Sequence, residues 1–474
     1  MDGISLKRMT AYHPLPTSAV PHPVPSIPHR RKDSSVITII NNRRDFLRLG
    51  AGSLASGAML LTQASSAATT QAEAAVSTPG ARSDRRFRAI DQALADGVTS
   101  GAVASAVGLA ANADGVFYQG AFGPRDRTQP GGVDLDTVYW LLSMTKGITA
   151  VAAMQLVEKG RLHLDEPASR LLPMLKSPMV LSGFDAAGQP VLRPAKRAIT
   201  LRHLLTHTSG FTYANWSDRL PRYEQVTGMP DVAYSMNGAF NAPLEFDPGE
   251  RWQYGIGMDV VGRLVEAVTD QSLEIYFREN IFEPLGMANT GFLISSAQKR
   301  KTATTYARQA DGSLLPMPFE MNQRPEFFSG GGGLFGTPRD YMAFLQMMVK
   351  GGSHGGARVL TPETVALMRT NAIGDLNVNP LKTSSKMWSL DADLFPGMKQ
   401  KWGLSFDINP EKGPNGRSAG SYAWAGLLNC YYWVDPVKKV TGALFTQLLP
   451  FYDPRAVDLF GAFERGVYAL VDRA

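Results

Sequence analysis

A single cysteine in 474 residues, Cys430, closes several routes at once. An intrachain disulfide is impossible, and no cysteine zinc site can form. Its surroundings, Leu427-Leu428-Asn429-Cys430-Tyr431-Tyr432-Trp433-Val434, are apolar and mark it as a buried structural thiol. Charge is also sparse, at 19% Asp, Glu, Lys and Arg, and the formal excess of +6 is badly placed for a nucleic-acid binder. Residues 1–67 hold eight Lys/Arg against three acids, so nearly all of the excess precedes the body of the chain, which has no basic cluster. H-E-x-x-H, paired cysteines and G-x-x-x-x-G-K-[ST] do not occur, so neither a metal site nor a cofactor is expected. Of the seven histidines, His13, His22 and His29 lie near the start, His163 follows a predicted helix, and His354 sits in a glycine turn. His203 and His207 flank Leu204-Leu205 at an apolar helix end, where hydrogen bonding to a neighbouring turn is their expected role.

What is present begins with a leader. Asn42-Arg43-Arg44-Asp45-Phe46-Leu47-Arg48, followed by a Gly/Ala/Leu-rich segment and small residues, resembles the bacterial twin-arginine export signal. Its apolar segment is too diluted by Gly and Ser to read as a membrane span. We therefore expect a signal and leader over 1–67, a linker over 68–84, and one domain over 85–474. The resemblance implies a partner in the twin-arginine export machinery and a periplasmic or secreted location.

Within the domain, apolar spacing predicts a helix over 84–96, then a β-hairpin turning at Asn112-Ala113-Asp114-Gly115. Helical patterns recur to about residue 368, with strong ones over 258–268 and 273–282, and one opened by the glycine run at 330–333. Beyond residue 400 four strands are predicted, over 402–408, 422–428, 431–434 and 440–447, followed by a helix over 454–471. Strands at both ends with helices between them predict an α+β fold. One antiparallel sheet, flanked by the N- and C-terminal helices, would be assembled from both ends, with a mainly helical region inserted.

Chemistry concentrates at Ser143-Met144-Thr145-Lys146. A serine hydroxyl is a poor nucleophile until a base takes its proton, and a lysine lifted out of water can be that base. Residues three apart on a helix share a face, so amine and hydroxyl can meet. Four residues alone are weak evidence, since a serine cap with a solvent-facing lysine reads the same way. A rival nucleophile, Ser418 in Gly416-Arg417-Ser418-Ala419-Gly420, matches G-x-S-x-G but has a polar loop before it and a strand after it, the reverse of what that elbow requires.

Context decides. Ser143-Met144-Thr145-Lys146, Leu201-Arg202-His203-Leu204-Leu205-Thr206-His207-Thr208-Ser209-Gly210, Pro248-Gly249-Glu250-Arg251-Trp252-Gln253-Tyr254, the glycine run and Trp424-Ala425-Gly426 follow in this order. Together they resemble the serine β-lactamase and penicillin-binding-protein superfamily, most nearly its class C-like branch of family VIII carboxylesterases. The resemblance implies Ser143 as the acylated nucleophile, Lys146 as its base and Tyr254 as the tyrosine that shares protons with the lysine. A neighbouring ammonium would favour the Tyr254 phenolate. It also implies an oxyanion hole from the backbone N–H groups of Ser143 and Leu427, with Trp424, Ala425 and Gly426 along the substrate. Two departures stand out. Ile256 replaces the asparagine found two residues after the tyrosine in class C β-lactamases, and Trp424 replaces the lysine of Lys-Thr-Gly, leaving an apolar wall with one N–H donor.

The expected activity is therefore cleavage of a small-molecule substrate, a neutral, hydrophobic carboxylic ester of short or medium acyl chain, through an acyl-enzyme. The alternatives are transfer of the acyl group to an alcohol, as in the lovastatin-pathway acyltransferases, residual β-lactamase or D-aminopeptidase action, and a silent penicillin-recognising protein. Phe211, Tyr213, Trp216 and Tyr223 are candidates for the acyl pocket.

Overall fold

The two ends of the domain meet in one sheet. A computed structural model describes residues 85–473; the twin-arginine segment, the leader and the linker expected over 1–84 lie outside the described residues. Numbering the main elements in chain order, α1 (Arg88–Thr99) leads into the hairpin β1 (Ala106–Asn112) and β2 (Val116–Phe122). Next come the helices α2 (Thr145–Glu158), α3 (Gly257–Thr269) and α4 (Pro338–Val349). The chain returns through β3 (Lys401–Trp402), β4 (Asp407–Asn409), β5 (Ser421–Gly426), β6 (Cys430–Asp435) and β7 (Val440–Phe445), and closes with α5 (Pro454–Val471). The seven strands pair in the order β3-β4-β5-β6-β7-β1-β2, antiparallel throughout. The expected α+β architecture is thus present.

Both faces of the sheet are covered, which is why β1 and β7 read as apolar runs instead of alternating with polar residues. Successive residues of β1 split between two cores: Val107, Leu109 and Ala111 pack on one side and Ala106 and Ala110 on the other. The second side belongs to α1 and α5. Small residues bring these helices close: a Cβ on Gly97 would lie 2.8 Å from Leu459, one on Gly466 2.6 Å from Ile90, and one on Gly108 2.9 Å from Phe463. The first side carries α4 and, beyond it, α2. From Thr145 to Leu156 every residue of α2 is buried, so this helix runs through the interior instead of lying on a surface.

Two expectations change. The strand expected over 402–408 is a tight hairpin, because Ser405 adopts φ 83° and turns the chain between β3 and β4. Ser143 is not on the helix it introduces: it lies in a short 3-10 turn, Leu142–Met144, and α2 begins only at Thr145. Leu142 has φ 47°, a conformation that a branched side chain rarely adopts and that costs about 1–3 kcal/mol. This bend sits immediately before the serine.

Candidate active site

Lys146 is among the largest fully buried side chains of the described residues, at 0% exposure. Isolating a charge in this way costs far more than packing returns, so the group gives up its charge instead. Burial pulls the Lys146 amine down from 10.5 to about 7, opposed by the negative charge of Asp259. Nζ lies 3.1 Å from Ser143 Oγ, 3.0 Å from Tyr213 Oη and 2.5 Å from the Gly331 carbonyl. Ser143 itself is only partly buried. A buried amine thus stands behind a partly exposed hydroxyl.

The glycine run is placed by α2. Thr149 Oγ1 donates to the Gly330 carbonyl at 2.7 Å, and the Leu334 N–H donates to Thr145 Oγ1 at 3.2 Å. Lys146 lies between these threonines on the helix and reaches the Gly331 carbonyl. The run serves close packing and not a left-handed turn: none of residues 330–333 has positive φ. A Cβ on Gly330 would lie 2.6 Å from the Met258 carbonyl and one on Gly333 2.7 Å from Phe292.

Tyr254 arrives from the turn at Gly249, whose φ is 82°. The turn is anchored by Asp247, which accepts two 2.9 Å bonds from Arg193. Gly255 lets the next segment press on the backbone of Phe211 and Thr212, where a Cβ would lie 2.2 Å from a carbonyl oxygen. That approach sets the Tyr213 and Tyr254 rings side by side, 5.3 Å between centroids. Lys146 Nζ sits 4.7 Å from the Tyr254 ring and 5.1 Å from that of Tyr213. Behind Tyr254, His207 packs at 4.6 Å and accepts the Gly255 N–H on Nδ1. His203 accepts the Thr200 N–H and forms a capping box. Both histidines therefore hold neighbouring turns, as expected.

The protonation state expected for Tyr254 needs correction. Burial raises its phenol far above 10, and the bonds to Ser143 and Trp424 that favour the phenolate do not offset it. Burial thus favours the neutral phenol of Tyr254 over the phenolate. The Trp424 indole also differs from expectation: its N–H is not free for substrate but donates to Tyr254 Oη at 3.1 Å, with the rings 4.9 Å apart. Trp424 thus contacts the Tyr254 hydroxyl.

Gly426 ends β5 against the serine turn, and a Cβ there would lie 2.4 Å from the Leu141 carbonyl. Leu427 is the next residue, partly buried, so the serine turn and the end of β5 converge. Ala425 and Ile256 are buried at 3% each. Of the candidate acyl-pocket aromatics only Tyr213 reaches the lysine. Phe211 and Trp216 belong to the core, and Tyr223 lies on the short helix Leu220–Thr227. Ser418 is outside the cluster, in a loop before β5 with its N–H donating to Asp435. Among the described residues no group of His, Cys, Asp and Glu is arranged to hold a metal ion.

Sequence reasoning missed Asp259 and the contact of Tyr213 with the lysine. Asp259 did leave a signal, as a lone acid at the start of an otherwise apolar helix face.

A family model described as Beta-lactamase matches residues 90–465. The chain is 32% identical over 398 residues to monacolin J acid methylbutanoyltransferase of Aspergillus terreus, covering 80% of this chain and 95% of that one. It is 29% identical over 400 residues to the lovastatin esterase of Penicillium rubens, covering 80% and 98%. Among solved structures, unliganded simvastatin synthase from Aspergillus terreus superposes with a TM-score of 0.72 at 32% identity, over 81% of this chain and 98% of that one.

Proposed function

The chain belongs to the beta-lactamase family, as an enzyme of its serine hydrolase and acyltransferase superfamily, and on that footing we propose that it moves an acyl group from an ester donor to an alcohol through an acyl-enzyme on Ser143. One observation carries the acyl-enzyme: a buried amine, drawn to about 7, lies 3.1 Å from a partly exposed serine hydroxyl. Lys146 takes the Ser143 proton as Oγ bonds to the donor carbonyl carbon. The oxyanion is received by the backbone N–H groups of Ser143 and Leu427, each donor being worth about two to three powers of ten in rate. As the C–O bond to the leaving alcohol breaks, Tyr254 donates its proton to that oxygen, and the Lys146 ammonium restores the phenol. The second half runs in reverse: the acceptor hydroxyl gives up its proton to this pair and attacks the acyl carbon, and Ser143 leaves protonated.

Hydrolysis differs only in the second nucleophile, water instead of alcohol. The sequence alone placed ester cleavage first. The matched transferases favour the opposite order, and the similarity to an esterase keeps hydrolysis as the second outcome of the same acyl-enzyme. Ile256 and Trp424 offer no cation or amide for a β-lactam carboxylate or side chain, which supports neutral acyl donors.

The test is product analysis with p-nitrophenyl esters of increasing chain length, with and without a primary alcohol acceptor. Release of p-nitrophenol that rises with acceptor, with ester product exceeding free acid, is expected. Free acid alone at saturating acceptor would leave only a hydrolase. Ser143→Ala should abolish turnover and Ser418→Ala should retain it; the converse pattern would move the nucleophile.

A further inference from the structure

Beside Lys146 lies a second buried ionisable group that the steps above do not use. Asp259 stands in the first turn of α3, 1% exposed. Its Oδ1 accepts from Ser329 Oγ at 2.5 Å and from the Gly331 N–H at 3.1 Å, whereas Oδ2 has no hydrogen-bond partner. Such an oxygen is costly to bury unless a nearby charge compensates it. Oδ2 faces the surroundings of the lysine: a Cβ on Gly331 would meet it at 2.3 Å and would meet Tyr213 Oη at 2.8 Å. Gly331 therefore links the two groups directly. Its N–H is held by the carboxylate, and its carbonyl accepts the 2.5 Å bond from Lys146 Nζ. Tyr213 lies between the same two groups, its Oη 3.0 Å from the amine and its phenol raised in part by the Asp259 charge.

Resting on Ser143 acylation as proposed above, we propose that Asp259 is a positioning residue. Through Gly331 and Tyr213 it fixes the Lys146 amine beside Ser143, and its negative charge stabilises the ammonium that forms when Lys146 takes the serine proton. The other titratable groups facing the amine cannot do this. Tyr213 and Tyr254 are held neutral by burial, which pushes both phenols up. His207 is held neutral as well, driven well below its ordinary value by burial and then by the lysine charge. Burial raises the Asp259 carboxyl, and the lysine charge leads the effects that oppose it.

The experiment is the pH dependence of kcat/KM for a p-nitrophenyl ester, with the full chain and its Asp259→Asn and Ser329→Ala variants. Losing the carboxylate charge weakens the hold of Lys146 on its proton, so the acid limb of Asp259→Asn should move to lower pH by about one pH unit. Its plateau should fall by about tenfold or more as the ammonium loses support, a loss of about 1.4 kcal/mol. Ser329→Ala removes a donor that favours the ionised Asp259 carboxylate, so the carboxyl rises further and carries less charge, and the limb should move in the same direction by less; it carries the test if the asparagine variant fails to fold. A role in packing alone would lower the rate without moving either limb. Limbs that coincide with the parent in the folded variants overturn the assignment. Stoichiometric fluorophosphonate labelling of the parent at Ser143 separates the two levels: its failure would strike the acyl-enzyme itself and not the role of Asp259.

Discussion

If Lys146 is the base, activity must follow the titration of one buried amine. At a value of about 7, roughly one-tenth of the protein carries the neutral amine at pH 6 and about nine-tenths at pH 8, so the acylation rate should rise about tenfold across that interval. The same lysine in water, at 10.5, would be neutral in only about three molecules in ten thousand at pH 7. Burial thus raises the basic fraction at neutrality on the order of a thousandfold. The assay is kcat/KM for a p-nitrophenyl ester from pH 5.5 to 9, since that ratio reports the free enzyme. Lys146→Arg is the companion variant. A guanidinium does not deprotonate in this range, so the charge stays and the base goes, and a loss of about two to four powers of ten is expected. A flat profile between pH 6 and 8, or a limb near 10, would refute the electrostatic reasoning. Arginine activity within tenfold of the parent would refute the assignment of the base.

Stability should carry the same titration. The folded value of Lys146 lies below its unfolded one, so the unfolded chain binds the extra proton between about pH 7 and 10.5. The parent should therefore gain stability relative to Lys146→Met as pH rises through that window and hold a constant difference below it; denaturant midpoints at pH 7 and 10 decide this, and a difference independent of pH would sink it. Trp424→Phe keeps an aromatic wall but removes the 3.1 Å bond to Tyr254, which at about 1 kcal/mol predicts a roughly fivefold fall in kcat with little change in KM. A raised KM at constant kcat would instead place Trp424 against substrate in both ground and transition states. Gly331→Ala would put a methyl 2.3 Å from Asp259 and 2.8 Å from Tyr213; overpacking of about 1–3 kcal/mol should lower the melting temperature and slow Ser143 labelling together. Unchanged labelling would show that the loop tolerates more space than its packing indicates.

Much of this site was legible because it is carried by short local signals. A serine three residues from a lysine ahead of an apolar helix, a Pro-Gly turn before Tyr254, and Trp-Ala-Gly on a late strand each fix their own local geometry, and the fold brings them together. The sheet was legible for a similar reason: β1 and β7 are apolar on both faces because helices cover both. What did not show in the chain were groups whose role depends on a neighbour distant in sequence. Tyr213 lies 67 residues from Lys146 and reads as one aromatic among several until Gly255 closes on Phe211. Asp259 becomes informative only when Gly331, 72 residues on, packs against it. Protonation of Tyr254 was misjudged because proximity to an ammonium is visible in a motif whereas burial is not, and here burial is the larger effect.

The same balance explains why a serine-lysine pair needs no histidine here. His207 packs against Tyr254 and could be mistaken for the base, yet burial and the lysine charge hold it well below its ordinary value, and its ring is occupied by Gly255 on one side. Tyr254 is displaced the other way, which favours the neutral phenol that the proposed mechanism needs as its acid. Burial thus pushes the acid and the base in opposite directions: the phenol moves out of reach above, while the amine, starting from 10.5, moves down into the working range. Those displacements suit the roles proposed above, because a lysine so placed can both remove the serine proton and hand it on through Tyr254 within one turnover. Whether the acyl group then passes to alcohol or water depends on what fills the space over Ser143 once the first alcohol has left, which is why the acceptor experiment, and not a further change to the triad, separates transferase from esterase.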